Sequence, residues 1–466
     1  MALISPESFQ NIVLLRNGRL GCDAEEVMAA ALHAVDPYAC VQSHFVRNSE
    51  MLEINGEFVN LANTNRIYLV GIGKASVPMA MAVLDCMGDL IEKALVVTKD
   101  AKFLAQAGYQ DKLEIYLGGH PVPTNESMGA TKAILDQIPD LAADDLVIMV
   151  VSGGGSALFT DPVEGITLSD FKVLTNLLLN SGADIQEINT IRKHLDAVKG
   201  GRLAARWAPA QVQTLILSDV IGDDLDMIAS GPTVADSTTF TDAWEIIKKY
   251  NLIQSIPKSI QDVFQRGMAG EMAETVKPAQ LQKLAVKNHL VGTNQLATLA
   301  ARNKADELGY QTEILTTTLT GTTDVVAENL AAMINEYLAK PLTKNQPVCL
   351  ILGGETTVNV TGTGKGGRNQ DLVMRMVPFL ATVEGVLFIS LATDGDDGPT
   401  DAAGAAADAF VMDDGLREKG MVIEAYIDNN DAYEYLRKTG CLIKTGATGT
   451  NVNDLIFIFI ENPDRS

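Results

Sequence analysis

The stretch LVIMVVSGGGSAL, Leu146–Leu158, joins an apolar run to a glycine turn and is the clearest indication of the fold. Six apolar and mostly β-branched residues predict a strand buried on both faces, as in a parallel sheet. Three adjacent glycines, Gly153, Gly154 and Gly155, let the backbone take positive φ and turn several N–H groups toward one point. Such a turn binds an oxyanion, and a helix beginning there would add the positive end of its dipole. We therefore predict a phosphate-binding turn from Ser152 to Ser156.

The same pattern, an apolar strand followed by Gly with Asp, Lys, His or Ser, recurs along the chain. It is found in YLVGIGKAS (68–76), YLGGHPVPTNES (116–127), LILSDVIGDD (215–224), LILGGETTV (350–358) and LATDGDDGPTD (391–401). A chain that gathers so many strand-end loops predicts an enzyme acting on phosphate-bearing ligands.

The composition describes an acidic globular chain. Its 466 residues, 47% of them hydrophobic, suffice for two or three domains with large cores. The formal net charge of −23, which no basic tract offsets, disfavours nucleic acid and anionic membranes as partners. No apolar run reaches the ~18 residues of a membrane span, so no membrane partner is expected.

The cysteines and the first residues indicate a cytoplasmic protein. Cys22, Cys40, Cys86, Cys349 and Cys441 are odd in number, scattered, and without metal-binding spacing, which predicts reduced thiols. The opening MALISPESFQNIV has neither the basic region nor the apolar core of a secretory signal.

The order of predicted elements indicates two α/β domains facing each other across a cleft. From Arg66 onward strands and helices alternate, which predicts a doubly wound, mostly parallel sheet. The segment 256–278 is charged, carries Pro at both ends and holds no predicted strand, so we place the boundary there. The predicted domains are 1–275 and 285–466, and the helices within 1–47 could pack on either. A second α/β series follows, starting at HLVGT and including a helix or loop through AAGAAADAF.

Cations in glycine-rich loops are the second ingredient of phosphate chemistry. Phosphoryl transfer passes through a loose transition state whose charge lies on peripheral oxygens, so the protein supplies alignment and positive charge. Lys74 and Arg368 directly follow strand–glycine patterns and are our catalytic candidates. Arg192, Lys193, Lys199 and Arg202 are further cations, each with a solvated surface charge as the alternative.

The run Gly362–Gly367, GTGKGG, matches the dinucleotide pattern GxGxxG but follows a strand of alternating polarity. The acidic residue expected ~20 positions later has only Glu384 as a loose candidate. A cationic loop that binds nucleotide phosphates through Gly364, Lys365 and Gly366 fits better. No Walker A motif is present in the sequence.

Carboxylates at predicted strand ends could bind a metal ion. Mg²⁺ is usually held by one or two carboxylates together with phosphates and waters, and Asp219 and Asp394 each begin such a cluster. Simple turn formation is the alternative reading of these clusters. His120, between Gly and Pro, is either a base or substrate contact or a turn residue.

Eight ordered motifs give the chain a family resemblance. They are VGIGKAS, GGHPVPTNES, VSGGGSALF, NTIRKHLDAVKGGRLA, LSDVIGDDLDMIASGPTVAD, GGETTVNVTGTGKGGRNQ, ATDGDDGPTDAAGA and TGTNVNDL. Together, over residues 8–460, they resemble the class II glycerate 2-kinases, two-domain enzymes with a C-terminal MOFRL domain. The usual Gly-Pro-Thr-Gly-Thr-Asn is GATGTN here, at 446–451, which removes no functional group.

The resemblance implies transfer of the ATP γ-phosphate to the C2 hydroxyl of D-glycerate, giving 2-phosphoglycerate, with Mg²⁺. It also implies an active site in the cleft between two dissimilar α/β domains, the larger with a Rossmann- or flavodoxin-like sheet. Lys74 and Arg368 match the lysine and arginine thought to be catalytic in the family.

These observations combine into one site hypothesis. Lys74, Arg368 and Asp219 form the catalytic set, with Asp219 as a base. The phosphates contact Ser152–Ser156 and Gly364–Gly366, and Asp219 or Asp394 anchors Mg²⁺. The substrate-binding set is His120, Arg192, Lys193 and Glu355.

Three alternatives stay open from the sequence. An NAD(P)H-dependent hydroxypyruvate reductase would use Gly362–Gly367 as a dinucleotide site, and members of the resembled family have carried that label. A kinase for a related sugar acid would keep every motif. A non-enzymatic binding protein is disfavoured because the cations, carboxylates and glycine turns are all intact. The expected partner is a small molecule, and a homodimer is left open.

Overall fold

The computed structural model describes residues 5–9, 19–339, 346–415 and 420–461. The chain divides into two compact units. The parallel-sheet unit is Pro37–Val291, and the mixed-sheet unit combines Met1–Asp36 with Gly292–Ser466.

The parallel-sheet unit contains nine strands. They are β1 (Phe45–Asn48), β2 (Met51–Ile54), β3 (Glu57–Asn60), β4 (Ile67–Ile72), β5 (Ile91–Thr98), β6 (Leu113–Leu117), β7 (Leu146–Val151), β8 (Gln211–Leu217) and β9 (Val286–Gly292). The first three form a small antiparallel sheet. The other six lie in the order β6-β5-β4-β7-β8-β9, and the pairs β4–β5, β4–β7, β5–β6 and β7–β8 are parallel.

Counted from β4, this strand order is 3-2-1-4-5-6, the Rossmann arrangement, which confirms the predicted parallel α/β sheet. All residues of β4 and β7 are buried, because apolar runs such as LVIMVV are covered on both faces. The order reverses between β4 and β7. Ligands of open α/β sheets bind outside the carboxyl ends of the strands at such a switch point.

Helices cover this sheet and form a second core beside it. They span Pro37–His44, Ser76–Met87, Asn125–Gln137, Gly155–Leu158, Leu168–Ser181, Ile185–His194, Arg202–Trp207, Phe240–Lys249, Lys258–Met268 and Pro278–Leu281. Residues such as Phe171, Ile191, Phe240 and Phe264 join four of them in one apolar cluster. Capping boxes set the starts of three of these four helices, for example Thr239 with Asp242.

The observed units differ from the predicted ranges at two places. Helix Lys258–Met268 packs into the core of the parallel-sheet unit, and β9 extends its sheet. The parallel-sheet unit therefore runs through Val291. HLVG belongs to β9 of its six-stranded sheet and does not start a second α/β series. The N-terminal helices divide between the units, since Arg19–Ala34 packs on Asn294–Glu307 of the mixed-sheet unit while Pro37–His44 belongs to the other.

The described residues of the mixed-sheet unit form six further strands. They are β10 (Gln311–Leu319), β11 (Val348–Gly354), β12 (Val386–Ala392), β13 (Gly404–Ala407), β14 (Leu442–Ile443) and β15 (Asp454–Ile460), in the order β10-β11-β15-β12-β13-β14. Only β10–β11 is parallel, and β15 pairs antiparallel with both β11 and β12. The segment predicted as helix or loop, AAGAAADAF, contains β13, whose small side chains are wholly buried against β12.

The helices of the mixed-sheet unit are Arg19–Ala34, Asn294–Glu307, Thr323–Ala339, Arg368–Leu380, Val411–Asp413, Ile423–Asp428 and Ala432–Thr439. Across the residues that the model describes in both units, none of the helices is both long and apolar enough to cross a bilayer.

Candidate active site

Two glycine turns interlock at the switch point of the parallel sheet. The turn after β4 is fixed by Lys74 N donating to Gly153 O at 2.9 Å and by Ala75 N donating to Ser152 Oγ, also at 2.9 Å. Gly73 has φ +120°, and a Cβ there would lie 2.3 Å from Ser152 Oγ. Only glycine allows this approach. Ser152 thus fastens the two turns together, and its hydroxyl accepts a bond from the protein.

Lys74 is the distinctive cation of this region. Its side chain is half-buried, and its stem lies along the second turn, because a Cβ on Gly154 would come 3.2 Å from Lys74 Cγ. Among the described residues, the Lys74 ammonium has neither an ion pair nor a side-chain hydrogen bond. A partly desolvated ammonium without a counter-ion favours an anionic ligand.

The strand ends bring two more predicted residues to the same turn. A Cβ on Gly154 would lie 2.9 Å from His120 Cδ2, and one on Gly153 would lie 2.0 Å from Asp219 Oδ2. Lys74, His120, the glycines and Asp219 follow β4, β6, β7 and β8, whose carboxyl ends share one edge. The structure therefore assembles these four predicted parts.

His120 is neutral in this environment. Burial, then the positive charges of Lys74 and Lys99, lower its pKa to about 4. A neutral imidazole has one nitrogen that donates and one that accepts. Lys99 directly follows β5 and the apolar run ALVVT, but no glycine stands before it, so the strand–glycine pattern that marks Lys74 does not identify it.

Ser156 and the cations behind it close the turn. Lys199 is buried, and its ammonium donates to Ser156 O at 2.9 Å and Phe159 O at 2.8 Å, with Asp196 Oδ2 at 3.4 Å. Burial lowers the pKa of Lys199. Arg192 Nη1 donates to Ser156 Oγ at 3.1 Å. Lys199 thereby fixes the backbone of the turn, while Arg192 lies beside it.

The structure does not bring Lys193 to the turn. Its side chain is 2% exposed, and its ammonium pairs with Asp226 at 2.7 Å and Asp236 at 3.3 Å. The predicted substrate contact therefore fails geometrically, since both carboxylates already hold the charge. Lys193 and Arg192 are consecutive in the helix, so their side chains leave it in different directions and contact different partners.

Arg368, in the mixed-sheet unit, lies at the start of helix Arg368–Leu380 and is held by two carboxylates. Asp454 accepts from Nε at 2.5 Å and from Nη2 at 2.9 Å, and Glu355 Oε1 is 3.0 Å from Nη1. Burial opposes the charge of Arg368, but the hydrogen bonds and charge of Asp454 raise its pKa overall. Burial raises the pKa of Asp454 to about 6, with Arg368 opposing the shift.

The glycine loop before Arg368 is closed on its own unit. Gly364 N donates to Asn429 O at 2.8 Å, and Lys365 N donates to Asp431 Oδ1 at 3.0 Å. A Cβ on Gly366 would lie 3.2 Å from Ala432 Cβ. The loop glycines therefore serve close backbone packing. The backbone amides of Gly364 and Lys365 are therefore not available to a phosphate, and a contact through the Lys365 ammonium stays a prediction.

The helix start after this loop is closed as well. Asp397 accepts from Asn369 N at 3.1 Å and from Gln370 N at 2.9 Å. These are N–H groups that an open helix N-terminus would offer to an anion. Asp397 therefore caps helix Arg368–Leu380. The acidic cluster that begins at Asp394 thus serves in part to form a turn and to cap a helix.

The two predicted metal ligands belong to different units. Within the described residues, no group of three or more His, Cys, Asp or Glu side chains could hold a metal ion. Mg²⁺ needs only one or two carboxylates when phosphates complete its shell. Asp219 fits that donor set, since it lies at the glycine turn beside Lys74. Asp394 Oδ1 accepts from Asp396 N at 3.1 Å, as expected of a turn former.

Comparison with known proteins gives matches along most of the chain. The family model described as a domain of unknown function, DUF4147, matches residues 23–265, and that of the MOFRL family matches 348–454. A D-glycerate 2-kinase of Thermotoga maritima is 43% identical, over 84% of this chain and 90% of that protein. A glycerate 2-kinase of Pyrococcus horikoshii is 37% identical, over 94% and 96%. The chain belongs to the class II glycerate kinase family.

The solved structure of a family member agrees with this assignment. The crystal structure of a glycerate kinase from Thermotoga maritima matches with a TM-score of 0.83 and 40% identity, covering 95% of this chain and 99% of that one. A relative from Agrobacterium vitis, 38% identical over 85% of this chain and 87% of its own, is named a putative hydroxypyruvate reductase. The resemblance predicted from the eight motifs is confirmed.

Proposed function

We propose that the chain is an ATP-dependent glycerate 2-kinase, which transfers the γ-phosphoryl group of ATP to the C2 hydroxyl of D-glycerate. The observation that carries this proposal is the Lys74 ammonium, without a counter-ion among the described residues, beside the glycine turn at the switch point. Membership of the glycerate kinase family supplies the reaction class.

Lys74 stabilises the charge of the transferring phosphoryl group. In a loose transition state this charge lies on the peripheral oxygens, and a fixed cation in a water-poor site lowers its energy. The interlocked turns hold Lys74 in place before substrate binds. The glycines beside it let phosphate oxygens approach the backbone where a Cβ would be in the way.

Asp219 would hold Mg²⁺, which when bound supplies further positive charge to the phosphate oxygens. The carboxylate also has the chemistry to accept the proton of the C2 hydroxyl, although a loose transition state needs little help from a base. His120 is neutral above about pH 4, so it can accept a hydrogen bond from that hydroxyl or donate one to the substrate.

Arg192 is the residue that we assign to the glycerate carboxylate. A guanidinium binds a carboxylate through two parallel hydrogen bonds, which orients it as well as attracting it. Arg368 keeps its predicted catalytic role as a proposal, but in this structure its charge is matched by Asp454 and Glu355.

Product analysis tests the proposal. The chain is incubated with ATP, Mg²⁺ and D-glycerate, and 2-phosphoglycerate is resolved from 3-phosphoglycerate, with hydroxypyruvate and NADH assayed in parallel. We expect the 2-phospho product without NADH oxidation. Oxidation of NADH without a phosphorylated product would instead support the reductase and return Gly362–Gly367 to the role of a dinucleotide loop.

A further inference from the structure

Three side-chain hydrogen bonds run in series behind the glycine turn, from Arg192 through Ser156 and Ser230 to Asn189. Arg192 Nη1 donates to Ser156 Oγ at 3.1 Å, and the Oγ atoms of Ser156 and Ser230 are 2.8 Å apart. Ser230 Oγ donates to Asn189 Oδ1 at 2.9 Å. Ser230 and Asn189 are buried, so water does not compete for the bond between them, whereas Ser156 and Arg192 are half-buried. We call this series the Arg192 relay.

The relay has one direction, because each hydroxyl carries a single proton. Asn189 Oδ1 only accepts, so the Ser230 proton points to it. Ser230 Oγ therefore accepts the proton of Ser156. The lone pairs of Ser156 are then left for Arg192 Nη1, and its hydroxyl has no proton for a ligand. The predicted phosphate contact at Ser156 can come only from its backbone.

The residue at the centre of the relay has an unusual backbone. Ala229, Ser230 and Gly231 have φ values of 51°, 60° and 60°, three left-handed residues in succession. Non-glycine residues in this region are uncommon and persist where the surroundings determine them. A Cβ on Gly155 would lie 2.9 Å from Ala229 Cβ, so this segment packs directly on the glycine turn.

Arg192 has donors left over for a ligand. Its side chain is partly buried, and no carboxylate of the described residues forms an ion pair with it. A guanidinium carries five N–H groups, of which the relay uses one. The remaining donors match the two oxygens of a carboxylate.

We propose that Ser230 is a positioning residue, which acts through Ser156 to orient the Arg192 guanidinium toward the carboxylate of a small hydroxy acid. The inference rests on the proposed glycerate kinase function. By holding Ser156 as an acceptor, Ser230 limits the directions that the guanidinium can take, so substrate binding loses less side-chain freedom.

Steady-state kinetics of Ser230→Ala test this role. The substitution breaks the Arg192 relay and so weakens the orientation of the charged guanidinium. This loss, comparable to that of one hydrogen bond to a charged group, should raise KM for D-glycerate about five- to tenfold. The KM for ATP and kcat should stay within about twofold, because neither depends on that orientation. If Ser230→Ala does not fold, Ser230→Gly removes the same hydroxyl and accepts the φ of 60° without strain.

Thr214→Val is the matched control. Thr214 Oγ1 donates to Thr233 Oγ1 at 3.1 Å, which donates to Asn288 Oδ1 at 2.7 Å, so the same unit contains a second buried hydroxyl series that ends on an asparagine. It contains no arginine. The control should lower the melting temperature without changing KM for D-glycerate.

A double-mutant cycle then separates a relay from general loosening. In a Ser156→Ala background, Ser230→Ala should have no further effect on KM, because the path to Arg192 is already broken. Additive effects would overturn the relay, and so would a rise in KM for ATP alone. If the wild-type chain phosphorylates D-glycerate but Ser230→Ala keeps its KM, only the relay fails. If the wild-type chain does not, the proposed function itself fails.

Discussion

Two glycine-rich turns with nearby cations look alike in the sequence and differ in the structure. Gly153–Gly155 lies beside Lys74, whose ammonium has no ion-pair partner among the described residues. The loop Gly362–Gly367 leads to Arg368, but Asn429 and Asp431 accept from its amides, and Asp454 and Glu355 hold the guanidinium.

The difference shows what a glycine pattern alone can establish. Glycine permits a close approach, but it does not say whether a ligand or the protein itself makes the approach. At Gly154 the space is shared with the Lys74 and His120 side chains, whereas at Gly362 and Gly364 it is filled by Asn429 and Asp431 of the same unit. A candidate site can therefore be told from a packing motif by a polar group that the protein itself leaves unpaired.

Paired lysine substitutions should give the largest effect and test the comparison directly. Lys74→Met should lower kcat about a thousandfold, since it removes a cation fixed against the developing charge. Lys365→Met should change kcat by less than about threefold, because the Lys365 side chain is exposed and lies 4.6 Å over the Tyr433 ring, a contact of about 1 kcal/mol or less.

Initial rates at saturating ATP and D-glycerate measure both variants, with circular dichroism to check folding. Equal losses in the two lysine variants would contradict the comparison, because Lys365 would then bind nucleotide through its side chain. Wild-type turnover in Lys74→Met would remove Lys74 from the catalytic set.

Substitution of Arg368 should first of all lower the stability of the fold. Arg368→Met leaves the buried Asp454 carboxylate without its partner, which should lower the free energy of unfolding by about 3 kcal/mol. Adding Asp454→Asn removes the stranded charge and should restore much of this loss. Denaturant unfolding measures the stability of the single and double variants.

The double variant also separates the structural role of Arg368 from a catalytic one. If it regains stability and activity together, Arg368 serves the fold. If it is stable and still inactive, the guanidinium is required for the reaction itself, and the predicted catalytic role holds.

The two predicted metal carboxylates offer a smaller, concentration-dependent effect. Asp219→Asn should raise the Mg²⁺ concentration for half-maximal rate by about tenfold or more, a loss typical of perturbed metal sites. Asp394→Asn is the matched change in the other unit and should leave this value within about twofold. A Mg²⁺ titration of the initial rate measures both, and the reverse order would move the ion to the Asp394 turn.

The sheets were predictable because apolar runs report burial locally. LVIMVV and IYLVGI are buried throughout, as their composition indicates. The placement of β9 was not predictable, since the residues HLVG read as a strand without saying which sheet it joins. The glycines near strand ends also allowed Lys74, His120 and Asp219 to be predicted as site residues. The carboxyl ends of parallel strands lie at one edge of the sheet, so residues that follow them come close together.

The missed features depend on distant partners. Arg368 is 86 positions from Asp454, and the amides of its glycine loop are bound by residues more than 60 positions away. Lys193 was predicted to contact the substrate as one of the cations of the chain, but its ammonium pairs with Asp226 and Asp236. Such pairings follow from the fold and have no local signal.

The smallest effect concerns the titration of His120, which reports the cation beside it. Its pKa is about 4, lowered by burial and then by Lys74 and Lys99. Removing one of these charges in Lys74→Met should raise the midpoint, while burial keeps it below the ordinary value of about 6.5. NMR titration of the imidazole resonances of His120 follows both proteins.

The sign of the linked stability follows from the same shift. The folded state binds fewer protons than the unfolded state between about pH 6.5 and 4. The contribution of His120 to stability is therefore complete above about pH 6.5 and is lost as the pH falls toward 4. In Lys74→Met this loss should be smaller, because the two pKa values lie closer together. An unchanged His120 midpoint in Lys74→Met would mean that the ammonium is too far away, or too well solvated, to act on a phosphoryl group at the turn.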